Sequence, residues 1–303
     1  MLEPFPVNKF HKERGRNMDQ KITDLYDDYT HELFDRREFL RRLSVLAGGT
    51  AVAYTLLPLL GEKFAQAEFV AKDDSRLVAE YIQYPGATGD IRAYLARPKG
   101  NEKHPAVLII HQNRGLDPHI EDVVRRFALE GFLALAPDAL TPLGGTPEDR
   151  EKAPVLIQKL EGESTLQNYL AAVKFLKTHP VSSGKVGAVG FCWGGGMANK
   201  LAVHSADLSA VVPYYGPQPA PEEVSKIKTP LLLHYAGVDP WVNGGIPAFE
   251  EALKKASVDY KIYMYEGAQH AFNDDTSPGR YNKEAAQLAW QRTIAFFKEK
   301  LKK

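Results

Sequence analysis

Short apolar runs recur along the chain from Leu77 onward, each closed by glycine, proline or aspartate, with residues spaced for helices lying between them. Residues 78–84 and 91–97 alternate in polarity and are separated by Pro85-Gly86 and Gly89-Asp90, which predicts an antiparallel hairpin. Residues 105–111 are continuously apolar, as a strand covered on both faces requires. Ile120, Val123, Val124, Phe127 and Ala128 then form a helical stripe that Gly131 closes. Residues 132–136 predict the next strand, 166–178 a crossover helix, and 186–189 a strand that runs almost at once into the helix-compatible segment 197–203. Further strands are expected at 208–216, at 229–238 and from 260, and a closing helix over 281–301. The alternation predicts an α/β fold with a mostly parallel central sheet flanked by helices.

The first 67 residues break this pattern. A polar stretch over 1–30 leads to Arg36-Arg37-Glu38-Phe39-Leu40, then to a run without charge over 43–60, then to Ala65-Gln66-Ala67. Basic region, apolar region and small-residue site stand in the order of an export signal of the twin-arginine type, with the signal segment over 35–67. This reading predicts a leader over 1–67, a folded domain over 68–303, cleavage after Ala67 and a periplasmic location. Asp35 before the arginines and Pro58 inside the apolar run support a second reading. In that one, residues 36–60 form an uncleaved helix on a cytoplasmic protein, touching the domain, a partner or a membrane. The run is also nearly long enough for a membrane anchor.

Composition narrows the classes. The chain has 303 residues, 44% hydrophobic and 25% charged, with formal net charge zero, so it supports one large core and gives no reason to expect nucleic acid as a partner. Its single cysteine excludes an intramolecular disulfide. The histidines lack metal-ligand spacing and no dinucleotide-binding glycine pattern occurs, so neither metal nor cofactor is expected.

The candidate chemistry lies at Gly190-Phe191-Cys192-Trp193-Gly194-Gly195, where a strand gives way to a helix. Glycines two before and two after the central residue let strand and helix pack around a strained turn, the nucleophile elbow of α/β-hydrolases, with Cys192 as nucleophile. The turn places the Trp193 amide where an oxyanion would form, and the helix N-terminus is expected to lower the thiol pKa. Asp239 in a Gly-x-Asp-Pro turn and His270 in a loop follow, each just past a strand. Nucleophile, acid and histidine in that order match the α/β-hydrolase arrangement. Alone, Asp239 is a turn former and His270 a loop histidine; the elbow is what joins them. Asp138, at another strand end, is read as structural. Tyr214 and Tyr215 are assigned to the core. Residues 139–162, with their prolines and glycines, are the expected lid or rim.

From about residue 78 to the end the chain resembles the dienelactone hydrolases (carboxymethylenebutenolidases), on Gly190-Phe191-Cys192-Trp193-Gly194-Gly195-Gly196, Asp239 and His270-Ala271-Phe272. The resemblance implies a Cys192-His270-Asp239 triad that hydrolyses a small-molecule ester or lactone. It also implies an oxyanion hole from the backbone amides of Trp193 and Asn113. The family often has a glutamate beside the thiol where this chain has Gln112, which can hydrogen-bond the sulfur but cannot take its proton. Family members hold a substrate carboxylate with arginines, one a few residues after the histidine. Here that stretch reads Phe272-Asn273-Asp274-Asp275-Thr276 and the next arginine is Arg280. Arg114 is either a solvated loop charge or an anchor for an anionic substrate, Arg280 is a second candidate anchor, and Trp241 is a candidate cleft residue. Two other classes fit the residues: a noncatalytic binding protein on this scaffold, and a thiol redox protein. The absence of a second, resolving cysteine counts against the latter. Nothing in the sequence fixes the oligomeric state.

Overall fold

A computed structural model of the protein describes Leu25 and residues 36–47, 69–149, 152–277 and 279–302. Contacts divide the chain into Met1–Ala67 with Thr276–Gly279, and Glu68–Asp275 with Arg280–Lys303. In the first unit α1, Arg36–Ala47, carries the arginine pair, and its Glu38 accepts hydrogen bonds from Arg41 at 2.7 Å and Arg42 at 2.8 Å one turn on. The remainder of the apolar run and the Ala65-Gln66-Ala67 site lie outside the described residues. Among the described residues no helix is long and apolar enough to cross a membrane.

The second unit is built on an eight-stranded sheet. Its strands are β1 (Leu77–Gly86), β2 (Gly89–Pro98), β3 (His104–Ile110), β4 (Leu133–Pro137), β5 (Ser182–Phe191), β6 (Leu208–Tyr214), β7 (Leu231–Val238) and β8 (Tyr260–Gln269), in spatial order 1-2-4-3-5-6-7-8. β2 runs against both its neighbours, and every pair from β4 to β8 is parallel. The alternating hairpin and the continuously apolar central strands follow from this: the hairpin strand β1 keeps wet positions, whereas β4 is buried at every residue.

Helices cover both faces. Alternate residues of β3 divide between two cores: Ala106, Leu108 and Ile110 face one, Val107 and Ile109 the other. The first core takes α4 (Gly162–Thr178), α5 (Trp193–His204) and α6 (Ile246–Lys255), through Leu166, Val173, Leu201, Phe249 and Leu253. The second takes α2 (Pro118–Leu129) and α7 (Lys283–Lys300), through Ile120, Val124, Phe127, Ala289 and Phe297. The helical stripe at 120–128 is therefore the buried face of α2. Helix α2 also ties down the segment entering the domain: the Val70 amide donates to Asp122 Oδ1 at 2.8 Å, and Arg125 Nε donates to the Val70 carbonyl at 2.8 Å, both buried.

Two elements go beyond the sequence reading. The rim over 139–162 contains a short helix, α3 (Ala153–Ile157), whose Ala153 and Ile157 join Leu140 in a small cluster against Trp193. Helix α6 was not anticipated, although Ile246, Phe249 and Leu253 recur at helical spacing. Asp138 is structural as expected: it is fully buried and accepts from the Leu140 amide at 3.0 Å and from the Thr146 amide and hydroxyl at 2.8 Å.

Candidate active site

Cys192 lies between β5 and α5 at φ 55° and ψ −116°, a backbone conformation that side-chain-bearing residues seldom adopt. The turn is tight enough to demand its glycines. A Cβ on Gly190 would lie 2.0 Å from the Gly194 carbonyl oxygen, and one on Gly194 would lie 2.4 Å from that of Ile110. The strained elbow is thereby clamped by its own backbone, and its sulfur is lifted off the end of the sheet.

Strand register delivers the other two groups. Val238 of β7 pairs with Gln269 of β8, so Asp239 and His270, the next residue of each strand, leave the sheet side by side. His270 Nδ1 is 2.6 Å from Asp239 Oδ2, and Nε2 is 3.0 Å from Cys192 Sγ. A carboxylate can only accept, so Nδ1–H donates to Asp239 and Nε2 turns its lone pair to the thiol. The Asp239 side chain is wholly buried, whereas that of His270 is 13% exposed and stands at the mouth.

Burial pushes the Cys192 thiol above its ordinary pKa. The Trp193 and Asn113 amides, which face the sulfur, and the Arg280 cation pull the other way, while the Asp239 charge adds to the upward shift. This corrects the expectation of a lowered thiol pKa: desolvation outweighs what the helix N-terminus offers. Alkylation of Cys192 by iodoacetamide should therefore be slow at neutral pH and accelerate only above the range in which an ordinary cysteine ionises; a midpoint below that range, followed by mass spectrometry of the peptide, would contradict this.

The remaining predicted residues take distinct places. Trp241 is 77% exposed and sets its ring edge-on to His270, centroids 5.9 Å apart. Arg280 is exposed, and Arg114 is half-buried in the loop that follows β3. Gln112 is buried and turns away from the role expected of it: its side-chain amide donates to Asp274 Oδ2 at 2.9 Å instead of serving the thiol. The Trp193 ring stacks on His111 at 5.4 Å. Tyr214 and Tyr215 are both buried, but Tyr215 also packs its ring 5.1 Å from that of His270. Its place next to Cys192 follows from the pairing of Phe191 with Tyr214 across β5 and β6.

Residues 91–301 match the dienelactone hydrolase family. The chain belongs to that family. A provisionally named carboxymethylenebutenolidase of Saccharolobus solfataricus is 32% identical over 255 residues, covering 72% of this chain and 97% of the relative. Protein usf of Aquifex pyrophilus is 35% identical over 219 residues, 70% of this chain and 94% of that protein. The crystal structure of a protein from Klebsiella pneumoniae, provisionally titled a dienelactone hydrolase, superposes with a TM-score of 0.67 at 27% identity, covering 73% of this chain and 98% of that one. As a dienelactone hydrolase family member, the chain is an ester- or lactone-directed hydrolase on the α/β scaffold expected from its sequence. Outside that domain, residues 11–48 match the YqhI-like family.

Proposed function

We propose that the protein cleaves an ester or lactone through Cys192, His270 and Asp239, by way of a thioester. The observation that carries this reading is the unbroken line Sγ–Nε2–Nδ1–Oδ2, with 3.0 Å and 2.6 Å contacts, at the C-terminal ends of the parallel strands β5, β7 and β8. His270 Nε2 takes the thiol proton as Sγ attacks the acyl carbon, and the imidazolium is stabilised by Asp239. The carbonyl oxygen becomes an oxyanion held by the Asn113 and Trp193 amides, the donors already turned toward the sulfur. Collapse expels the alkoxide, which takes the proton from His270, and leaves the acyl group on sulfur. Water, deprotonated by His270, then attacks the thioester, releasing the carboxylic acid and restoring the thiol.

Trp241, Arg280, Arg114 and the rim over 139–162 supply the substrate-facing surface in this reading. Turnover of short p-nitrophenyl esters and of dienelactone, with rapid quenching and intact-mass measurement, tests it. The expected result is a transient mass increase equal to the acyl group, localised to the peptide bearing Cys192. Rapid turnover with acylation elsewhere overturns the mechanism.

Export remains a proposal on separate grounds: it is supported by the Arg36-Arg37-Glu38-Phe39-Leu40 motif and the small-residue site ending at Ala67. Sequencing the N-terminus of protein from the native host tests it, with Glu68 expected as the first residue.

A further inference from the structure

Outside the triad, a group of buried and part-buried charges joins α2 to the loop that carries His270. His119 is buried and its Nδ1 lies 2.7 Å from Asp275 Oδ1 and 3.9 Å from Asp274 Oδ1. Arg126 Nη2 donates to Asp275 Oδ2 at 2.6 Å, and its Nε to Asp122 Oδ2 at 2.6 Å. Asp274 Oδ2 in turn accepts from Gln112, across 162 positions of sequence. The ligand-type atoms of His119, Asp274 and Asp275 lie within 4.8 Å of one another. The two carboxylates are nonetheless already matched by His119, Arg126 and the Gln112 amide, so the cluster reads as an internal network and not as a cation site.

What the network reaches is the peptide between Gln112 and Asn113. The Gln112 carbonyl accepts from His111 Nδ1 at 2.6 Å and from the Gly115 amide at 3.3 Å. In a trans peptide the carbonyl and the next N–H point in opposite directions, so holding that carbonyl aims the Asn113 N–H at the sulfur. The side chain of the same residue is held by Asp274, four positions after the triad histidine. Two loops that each bring a reacting group are thus fastened to one another, and through His119 and Arg126 to α2.

We propose that His119 and Asp274 are positioning residues that, through Gln112, hold the Asn113 amide in register with His270 and Cys192. The proposal rests on reading Asn113 as an oxyanion donor. It also assigns Gln112 a use: an ionised glutamate there would set a second carboxylate against Asp274, whereas the amide donates to it. Burial opposes a charge on His119, but the hydrogen bond to Asp275 and the charges of Asp274, Asp275 and Asp117 outweigh it and lift its pKa to about 9. His119 is a cation at neutral pH. Of the groups around this pair, Arg126 and Tyr281 also face Asp275.

The test uses the full chain with a short p-nitrophenyl ester, comparing His119→Gln, Asp274→Asn and Asp274→Ala. Asp274→Ala should lower kcat by roughly 10²-fold, the scale of a misplaced or lost oxyanion donor, with KM nearly unchanged. Asp274→Asn keeps an acceptor for Gln112 and should retain most of the activity that alanine loses. Wild-type kcat should fall relative to that of His119→Gln as pH rises through about 9, where the imidazolium is lost. Wild-type kcat in all three variants, with only the melting temperature lowered, overturns the proposal, as does a loss confined to KM. If Asp274→Ala does not fold, His119→Gln and Asp274→Asn carry the same decision through their kcat and pH profiles. Turnover that survives removal of the Cys192 thiol would instead defeat the parent mechanism and leave these outcomes separable from it.

Discussion

Cys192→Ala should abolish ester turnover, lowering kcat by roughly 10⁶-fold, the scale seen when a triad nucleophile is removed. The fold should survive. Asp239 and His270 are placed by the pairing of β7 with β8, and the elbow by the close approach of Gly190 to Gly194; neither needs the sulfur. The loss to stability is one sulfur–imidazole hydrogen bond, about 1 kcal/mol. Alanine inherits the φ of 55° that cysteine already tolerates. Steady-state kinetics beside a thermal melt checks both halves. Retained turnover in a folded variant removes Cys192 from the mechanism, and unfolding would mean that the elbow depends on its thiol.

Cys192, Asp239 and His270 are legible as candidates because they sit at strand ends, where local sequence carries the signal: a small-x-Cys-x-small turn, a Gly-x-Asp-Pro turn and a histidine after an apolar run. The parallel sheet does the rest, since ends of parallel strands share one edge. Gln112 shows where such reading stops. The sequence places it in the loop after β3, yet the partner of its amide is Asp274, and no periodicity links the two positions. His119 failed to register for the same reason: beside Pro118 it looks like a helix start, and only the packing of α2 against the histidine loop brings Asp275 to 2.7 Å. The direction of the Cys192 shift lies beyond the sequence because the helix terminus is visible there while burial of the sulfur is not. Tyr215 was rightly placed in the core, but its second face, against His270, depends on β6 lying next to β5.

Asp239→Asn should lower kcat at neutral pH by roughly 10⁴-fold while leaving the melting temperature nearly unchanged. The carboxylate now fixes the proton on Nδ1, 2.6 Å away, and thereby presents a lone pair at Nε2 to the thiol. An asparagine that turns its NH₂ to Nδ1 reverses this: Nδ1 becomes the acceptor, the proton moves to Nε2, and the imidazole faces Cys192 as a donor that cannot take the thiol proton. The imidazolium formed during attack also loses its counter-charge. The same substitution acts oppositely on the sulfur, because the Asp239 charge disfavours a thiolate and helps hold its pKa up. Neutral asparagine should therefore let Cys192 ionise at lower pH than in the wild type. Two measurements follow: the iodoacetamide profile of Asp239→Asn should shift to lower pH, and its esterase activity should recover part of the loss as pH rises and the sulfur ionises unaided. Cys192→Ala should show no such recovery. An alkylation profile that stays put or moves to higher pH would mean that Asp239 does not act on the sulfur, and wild-type kcat in Asp239→Asn would mean that it does not set the tautomer of His270.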